Sequence, residues 1–209
     1  MQPPEIPDAS LDSRDSRDSG DSGRADPVRQ AIRAEIEQIV PDDDAERRAH
    51  ADALQWVASG APLFRIAKPA TPPKHLIAYF VVVDDDHVLL VDHINAQRWL
   101  PTGGHVDVNE HPRETVRREA KEELGLTADF VQPGPCFISV TQTVGLTAGH
   151  TDVSLWYVLR AARSQALQWD HSEFKAVRWF HHSDIPLARS DPQMPGFLAK
   201  LYPPKLCGR

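Results

Sequence analysis

Cysteine is nearly absent from the 209-residue chain, with only Cys136 and Cys207 present. Two thiols without metal-ligand spacing exclude a disulfide framework and a cysteine-based zinc site, so both are expected to be ordinary reduced thiols. No apolar run approaches the ~20 residues of a membrane-spanning helix. The first residues lack a basic stretch followed by an apolar one, so no secretory signal is read and a cytoplasmic protein is expected. An excess of positive charge is missing too. The net charge of −7 argues against non-specific nucleic-acid binding through a basic surface.

More than half of that charge sits in residues 1–26, where seven acids face three arginines in a stuttering Asp-Ser-Arg repeat with almost no apolar content. Such a segment cannot bury enough surface to offset its ordering entropy. It is expected to be a disordered acidic tail.

Residues 27–71 are expected to form a helical extension and linker. Asp26-Pro27 has the form of a cap and a first helical residue, and Val28, Ile32, Ile36 and Ile39 or Val40 keep a helical period until Pro41. Asp42, Asp43 and Asp44 fit the dipole of a second helix start better than a metal cluster. That helix runs to about Ser59, with Gly60 ending it. Fifty residues bury too little surface to fold alone. The pair is therefore expected to dock on the main domain or to make a homodimer. Pro62, Pro69, Pro72 and Pro73 punctuate the linker that follows.

Residues 72–209 carry the main domain. Leu76–Val83 is expected as a buried strand, Asp84-Asp85-Asp86 as a turn and Val88–Val91 as its return. Phe137–Val144 and Val153–Leu159 alternate as two longer strands around a turn through Gly145 and Gly149. Phe174–Phe180 is a last strand, and a short helix around Phe197, Leu198 and Leu201 closes the chain. A mixed sheet with helices on its faces follows.

The chain is organised around residues 104–126, expected to be a glycine loop running into one short helix. Pro112 suits the first turn and Gly125 the position past the end. Glu114, three residues after His111, can help satisfy free N–H groups there. Val116, Ala120 and Leu124 make a buried seam, with Glu119, Glu122 and Glu123 beside it. For a bare helix that acidic stripe is unfavourable, by roughly 0.2–0.5 kcal/mol per like-charged pair and about 0.3–1 kcal/mol for each carboxylate opposing the dipole. A divalent cation reverses the sign of both effects.

Gly104, Glu110, Arg118, Glu119, Glu122, Glu123, Gly125 and Leu126 stand at the fixed spacings of the Nudix box, which this stretch resembles. Ala120 stands where a bulkier aliphatic residue is usual, and Thr102 where a glycine or proline is more common. The resemblance implies an α+β fold, an α/β/α sandwich around a mixed sheet, with the helical extension added at its N-terminus. It also implies a Mg²⁺- or Mn²⁺-dependent hydrolase of phosphoanhydride bonds, acting on a nucleoside diphosphate derivative or a nucleoside triphosphate. The alternative is a catalytically silent Nudix-like module that senses a ligand or binds a partner. Silent relatives usually lose a box glutamate or the arginine, and both are intact here.

Carried over residue by residue, the resemblance makes Glu119, Glu123, Glu122 and the Gly104 carbonyl the metal ligands. Arg118 orients a glutamate, Glu110 is structural, and Glu119 is the first choice for activating water, with Glu122 grouped beside it. Glu173, before the last strand, is the candidate for an added carboxylate ligand, with Asp152 its rival. His105 and His150 are candidates for the phosphate pocket, and His75 and His93 flank strands that can reach the same cleft. Trp99 either stacks on a base or packs in the core. The chain lacks the cysteine-rich ribbon of nicotinamide-dinucleotide pyrophosphatases and the cysteine motif of the isopentenyl diphosphate isomerase branch. Thr141 and Thr143 stand where sugar-nucleotide and dinucleoside-polyphosphate branches carry a proline or tyrosine. The broad MutT-like group and its nucleotide-alcohol relatives remain, and the sequence does not choose between them.

Overall fold

The computed structural model describes residues 26–68, 71–143 and 149–203. The expected disordered tail up to Ala25, Gly145 of the expected turn, and Cys207 lie outside the described residues. Asp26 is the first described residue. Its carboxylate accepts from the N–H groups of Val28 and Arg29 at 3.0 and 3.2 Å, which makes it the N-cap of α1 (Pro27–Glu37). Deleting residues 1–25 should therefore leave the melting temperature unchanged. Deleting Asp26 as well should cost about 0.5–2 kcal/mol, the usual worth of a cap. A large loss from the shorter deletion would show that the tail has a structural task.

The helical period of the sequence runs on to Pro41, yet α1 leaves helix at Gln38. Val40 precedes a proline, which disfavours helical backbone there, and its side chain is exposed while Ile39 stays buried. Helix α2 spans Asp44–Ala58. Asp43 caps it by accepting from Glu46 N–H at 2.7 Å, and Asp44 lies in its first turn, so these acids serve the helix start. Gly60 follows at φ +78°, a conformation a side chain would strain.

The sheet comprises β1 (Lys74–Asp84), β2 (His87–His93), β3 (Arg98–Leu100), β4 (Thr102–His105), β5 (Phe137–Gln142), β6 (Thr151–Arg160) and β7 (Phe174–His181), with helix α3 (Pro112–Leu124) after β4 and α4 (Met194–Leu201) last. The path is β3-β2-β1-β6-β5, with β4 paired to β1 and β7 to β2. All pairings are antiparallel except β1 with β6, whose parallel register sets Lys74 opposite Thr151 and continues to Val83 opposite Arg160. The stretch around Gly103 and Gly104, expected as a loop, is strand β4. Its glycines lie across from Tyr79 and Ala78, where the absence of side chains lets the two backbones approach closely.

Alternation along the central strands separates two cores, as the period of two requires. Leu76, Ala78, Phe80 and Val82 of β1, with Val153, Leu155, Tyr157 and Leu159 of β6, join the seam Val116, Ala120 and Leu124 of α3. Val81, Trp156 and Val158 turn the other way and pack on Met194, Phe197 and Leu198 of α4. The result is the expected sandwich of helices about a mixed sheet.

The helical pair docks on this domain. Ile32, Ile36, Ala53, Trp56 and Val57 are buried in the same cluster as the first sheet face. Polar ties reinforce the seat. The Tyr157 hydroxyl donates to Glu35 at 2.6 Å, and Lys200 pairs with the buried Glu46 at 2.7 Å. Truncating Ile36, which is fully buried, to alanine should cost about 2–5 kcal/mol by lost burial and the cavity left behind. A chain shortened to begin at Pro72 exposes the facing surface and should self-associate or precipitate in sedimentation. A soluble monomer with an unchanged melt would contradict this docking.

Candidate active site

Helix α3 is capped by His111. The ring of His111 accepts from Arg113 N–H at 3.2 Å, and Glu114 pairs with Arg117 instead of turning back to the first turn. At the other end Gly125 adopts the left-handed conformation at φ +68°, which suits glycine as a C-terminal stop. Between these ends the acidic stripe divides. Glu123 is buried at 7% exposure and accepts from Gly103 N–H at 3.0 Å. Glu119 is largely buried beside it, whereas the Glu122 side chain is 60% exposed.

Arg118 links the box together. Its guanidinium grips Glu110 through two bonds of 3.3 and 3.2 Å and Glu119 through one of 2.7 Å. Glu110 is further held by the Thr115 hydroxyl at 2.7 Å and by Asp107 N–H at 3.2 Å. Such a planar fork meets the Glu110 carboxylate bidentately while a further N–H reaches Glu119, a geometry that lysine lacks. Partial burial opposes the charge on Arg118, but Glu110 and Glu119 outweigh it and hold it firmly cationic.

Burial, then the neighbouring Glu119 and Glu173, push the Glu123 carboxyl up to about 9. Burial raises Glu119 as well, against the pull of Arg118. Among the described residues, no arginine or lysine pairs with Glu123. Gly104 lies directly over this pair: a Cβ there would stand 2.1 Å from Glu119 Oε1.

The glutamates open on a cavity of about 830 Å³ whose walls include Tyr79, His105, Arg118, Glu119, Glu123 and Glu173. Glu173 shares that wall, where its charge adds to the upward shift of Glu119 and Glu123, with His93 Nε2 at 3.6 Å from its carboxylate. Asp152 reaches the same cavity but stands among His75, His105 and His150. Burial, followed by Arg65 and the neighbouring imidazoles, pushes His105 down to about 3 and keeps it neutral. Trp99 does not join these residues. It packs edge-on against Phe180, with ring centroids 5.0 Å apart, beside a separate hollow with Arg178 and Pro186.

Arg65, Tyr79, Arg98 and Asp191 also line the cavity and were not legible as site residues. Arg65 comes from the proline-punctuated linker and Asp191 from the approach to α4, neither with a local motif. Alternation along β1 could have indicated Tyr79, which shares a strand face with His75 and Ile77.

The donor set suits a hard divalent cation, which takes clustered carboxylate oxygens. Glu119, Glu123 and Glu173 line the same cavity, although their oxygens do not converge as closely as those of the His75, His105, His150 and Asp152 group. The bare Gly104 leaves room for the Glu119 carboxylate.

A family model described as NUDIX domain matches residues 73–201. Among solved structures, a NUDIX-family hydrolase from Clostridium perfringens is 26% identical with a TM-score of 0.50, covering 60% of this chain and 94% of its own. A MutT NUDIX hydrolase from Burkholderia pseudomallei is 23% identical with a TM-score of 0.49, covering 61% and 98%. A UDP-X diphosphatase is 15% identical with a TM-score of 0.48, covering 83% and 91%. Comparison with curated proteins finds no match.

Proposed function

The chain belongs to the NUDIX domain family, and from that premise we propose that it is a Mg²⁺- or Mn²⁺-dependent hydrolase cleaving a phosphoanhydride bond in a nucleoside diphosphate derivative or a nucleoside triphosphate. The observation that carries this reading is Glu123, a buried carboxylate on the same cavity wall as Glu119 and Glu173, with which no arginine or lysine among the described residues pairs. Carboxylates so placed are costly alone and favourable around a cation.

Glu119, Glu123 and Glu173 would hold the ion, with the Gly104 carbonyl as a further ligand. Exposed Glu122 takes an outer place. The bound ion supplies acidity to water near neutral pH and charge to the phosphate oxygens. The chain's own residues do the positioning. Arg118 and Glu110 lock the Glu119 carboxylate, which is the proposed acceptor of the proton from the attacking water. Gly103 N–H fixes Glu123. Arg65, on the cavity wall, adds positive charge suited to a phosphate chain. The bond formed is from water oxygen to phosphorus, and the leaving phosphate or nucleotide departs with the anhydride oxygen.

A phosphate-release screen over nucleoside triphosphates and nucleoside diphosphate conjugates, with Mg²⁺ or Mn²⁺, tests the reading. Turnover of at least one class, abolished by chelation, is expected. Binding without turnover across the panel would favour a silent sensor instead.

A further inference from the structure

We propose that His75, His105, His150 and Asp152 form a binding site for one Zn²⁺ ion, distinct from the box glutamates. The four residues lie far apart in sequence and are gathered by strand register. The parallel pairing of β1 with β6 sets His75 directly opposite Asp152. His105 ends β4, alongside Ile77 of β1, and His150 immediately precedes β6. One ligand atom from each of the four lies within 4.8 Å of every other.

The spacing is that of a coordination sphere. His105 Nε2 is 3.1 Å from His75 Nε2. Asp152 Oδ1 is 3.4 Å from His75 Nε2 and 3.3 Å from His150 Nε2. A tetrahedron with zinc bonds of about 2.0–2.1 Å has edges of roughly 3.3–3.4 Å. Three edges are thus already near their final length.

Hydrogen bonds on the far side of two rings prepare them as ligands. His75 Nδ1 is 2.8 Å from the Pro72 carbonyl, which can only accept, so the ring proton sits at Nδ1 and Nε2 carries a lone pair. The Thr143 hydroxyl lies 3.2 Å from His150 Nδ1 and is able to accept from it. In the tautomer that makes this bond, the Nε2 lone pair of His150 also points inward. Such outer partners commonly fix the tautomer of a ligating histidine.

Asp152 supplies an independent observation. Its Oδ1 is buried with no hydrogen bond among the described residues, although two imidazole nitrogens stand within 3.4 Å. A buried carboxylate oxygen facing an imidazole lone pair, as at His75, is unfavourable unless a cation lies between them. Three imidazoles and one carboxylate suit Zn²⁺, whereas Mg²⁺ prefers an all-oxygen set. Four protein ligands make a closed, structural site. It would clip β1, β4 and β6 together at the cavity wall, next to Gly104.

The test uses the full chain, stripped with a chelator and titrated with Zn²⁺ by calorimetry in excess Mg²⁺. One tight equivalent is expected in the wild type and equally in Glu119→Gln/Glu123→Gln. In Asp152→Asn and His150→Gln the affinity should fall by at least the ~10–100-fold typical of disturbing even an outer-shell partner. Melting temperature should rise with Zn²⁺ in the first two proteins only. Melts in chelator check that each variant folds, and Asp152→Asn, which keeps the side-chain shape, decides if His150→Gln does not. Absence of the equivalent, its loss in Glu119→Gln/Glu123→Gln, or binding untouched in folded Asp152→Asn would overturn the proposal. In that case the four residues are only a hydrogen-bonded network.

Discussion

Replacing Glu123 with glutamine should lower turnover by a factor of hundreds or more, a loss of roughly 3 kcal/mol or above, as for removing an electrostatic catalytic group. The amide keeps the shape and can still accept from Gly103 N–H, the bond that holds the wild-type side chain at 3.0 Å. What it loses is one negative charge from the set that faces the cavity. Without metal the same change should leave stability equal or higher. Burial, then Glu119 and Glu173, push the Glu123 carboxyl up to about 9 in the folded state, against about 4.3 when unfolded. The folded form thus holds a proton that the unfolded chain releases. Stability from this group is full below the unfolded value and is lost as pH rises toward the folded one. Chelated wild type should therefore melt lower at about pH 8.5 than at about pH 6.5, with a smaller difference in the glutamine variant. A variant that is less stable without metal yet still turns over would mean that Glu123 is a structural residue.

The two glycines of β4 should separate stability from activity. In Gly103→Ala the new Cβ would lie 2.2 Å from the Ala78 carbonyl oxygen, on a backbone at φ +139°. Neither the strand neighbour nor the backbone angle can yield cheaply, so a loss of about 3 kcal/mol or more is expected. In Gly104→Ala the clash is with the end of the Glu119 side chain, which can swing aside. That variant should fold with a modest penalty and lose turnover by about a hundredfold, the scale of a misplaced catalytic group. Thermal melts and steady-state rates on both proteins check this. A stable, fully active Gly104→Ala would show that the position of Glu119 does not matter to the reaction.

The longer strands and the box helix were legible because their signals are local, whereas the short strands β3 and β4 were not. Leu76–Val83 is a continuous apolar run, and eight box positions fall within twenty-three residues. The division of the acidic stripe was not legible. Helical spacing puts Glu119, Glu122 and Glu123 on neighbouring rows, but only the packed strand β4 decides that Glu123 turns inward and Glu122 outward. Trp99 precedes the box by a few residues, yet strand pairing with Asp92 and the contact with Phe180 carry it away from the cavity. The histidine group was invisible as a unit because the β1–β6 register alone brings His75 beside Asp152. The place of the helical extension was open between this domain and a second copy. Tyr157 and Glu35, 122 residues apart, put it on the chain's own sheet.

Hydrolysis in ¹⁸O-labelled water, with mass analysis of the products, tests the central claim most directly. With a nucleotide substrate and Mg²⁺, one phosphate-bearing product should carry one labelled oxygen, as attack of water at phosphorus requires. Chelation or the Glu119→Gln/Glu123→Gln change should remove the label along with the turnover. Label found only in a product without phosphorus, or label that persists in the double variant, would contradict the account.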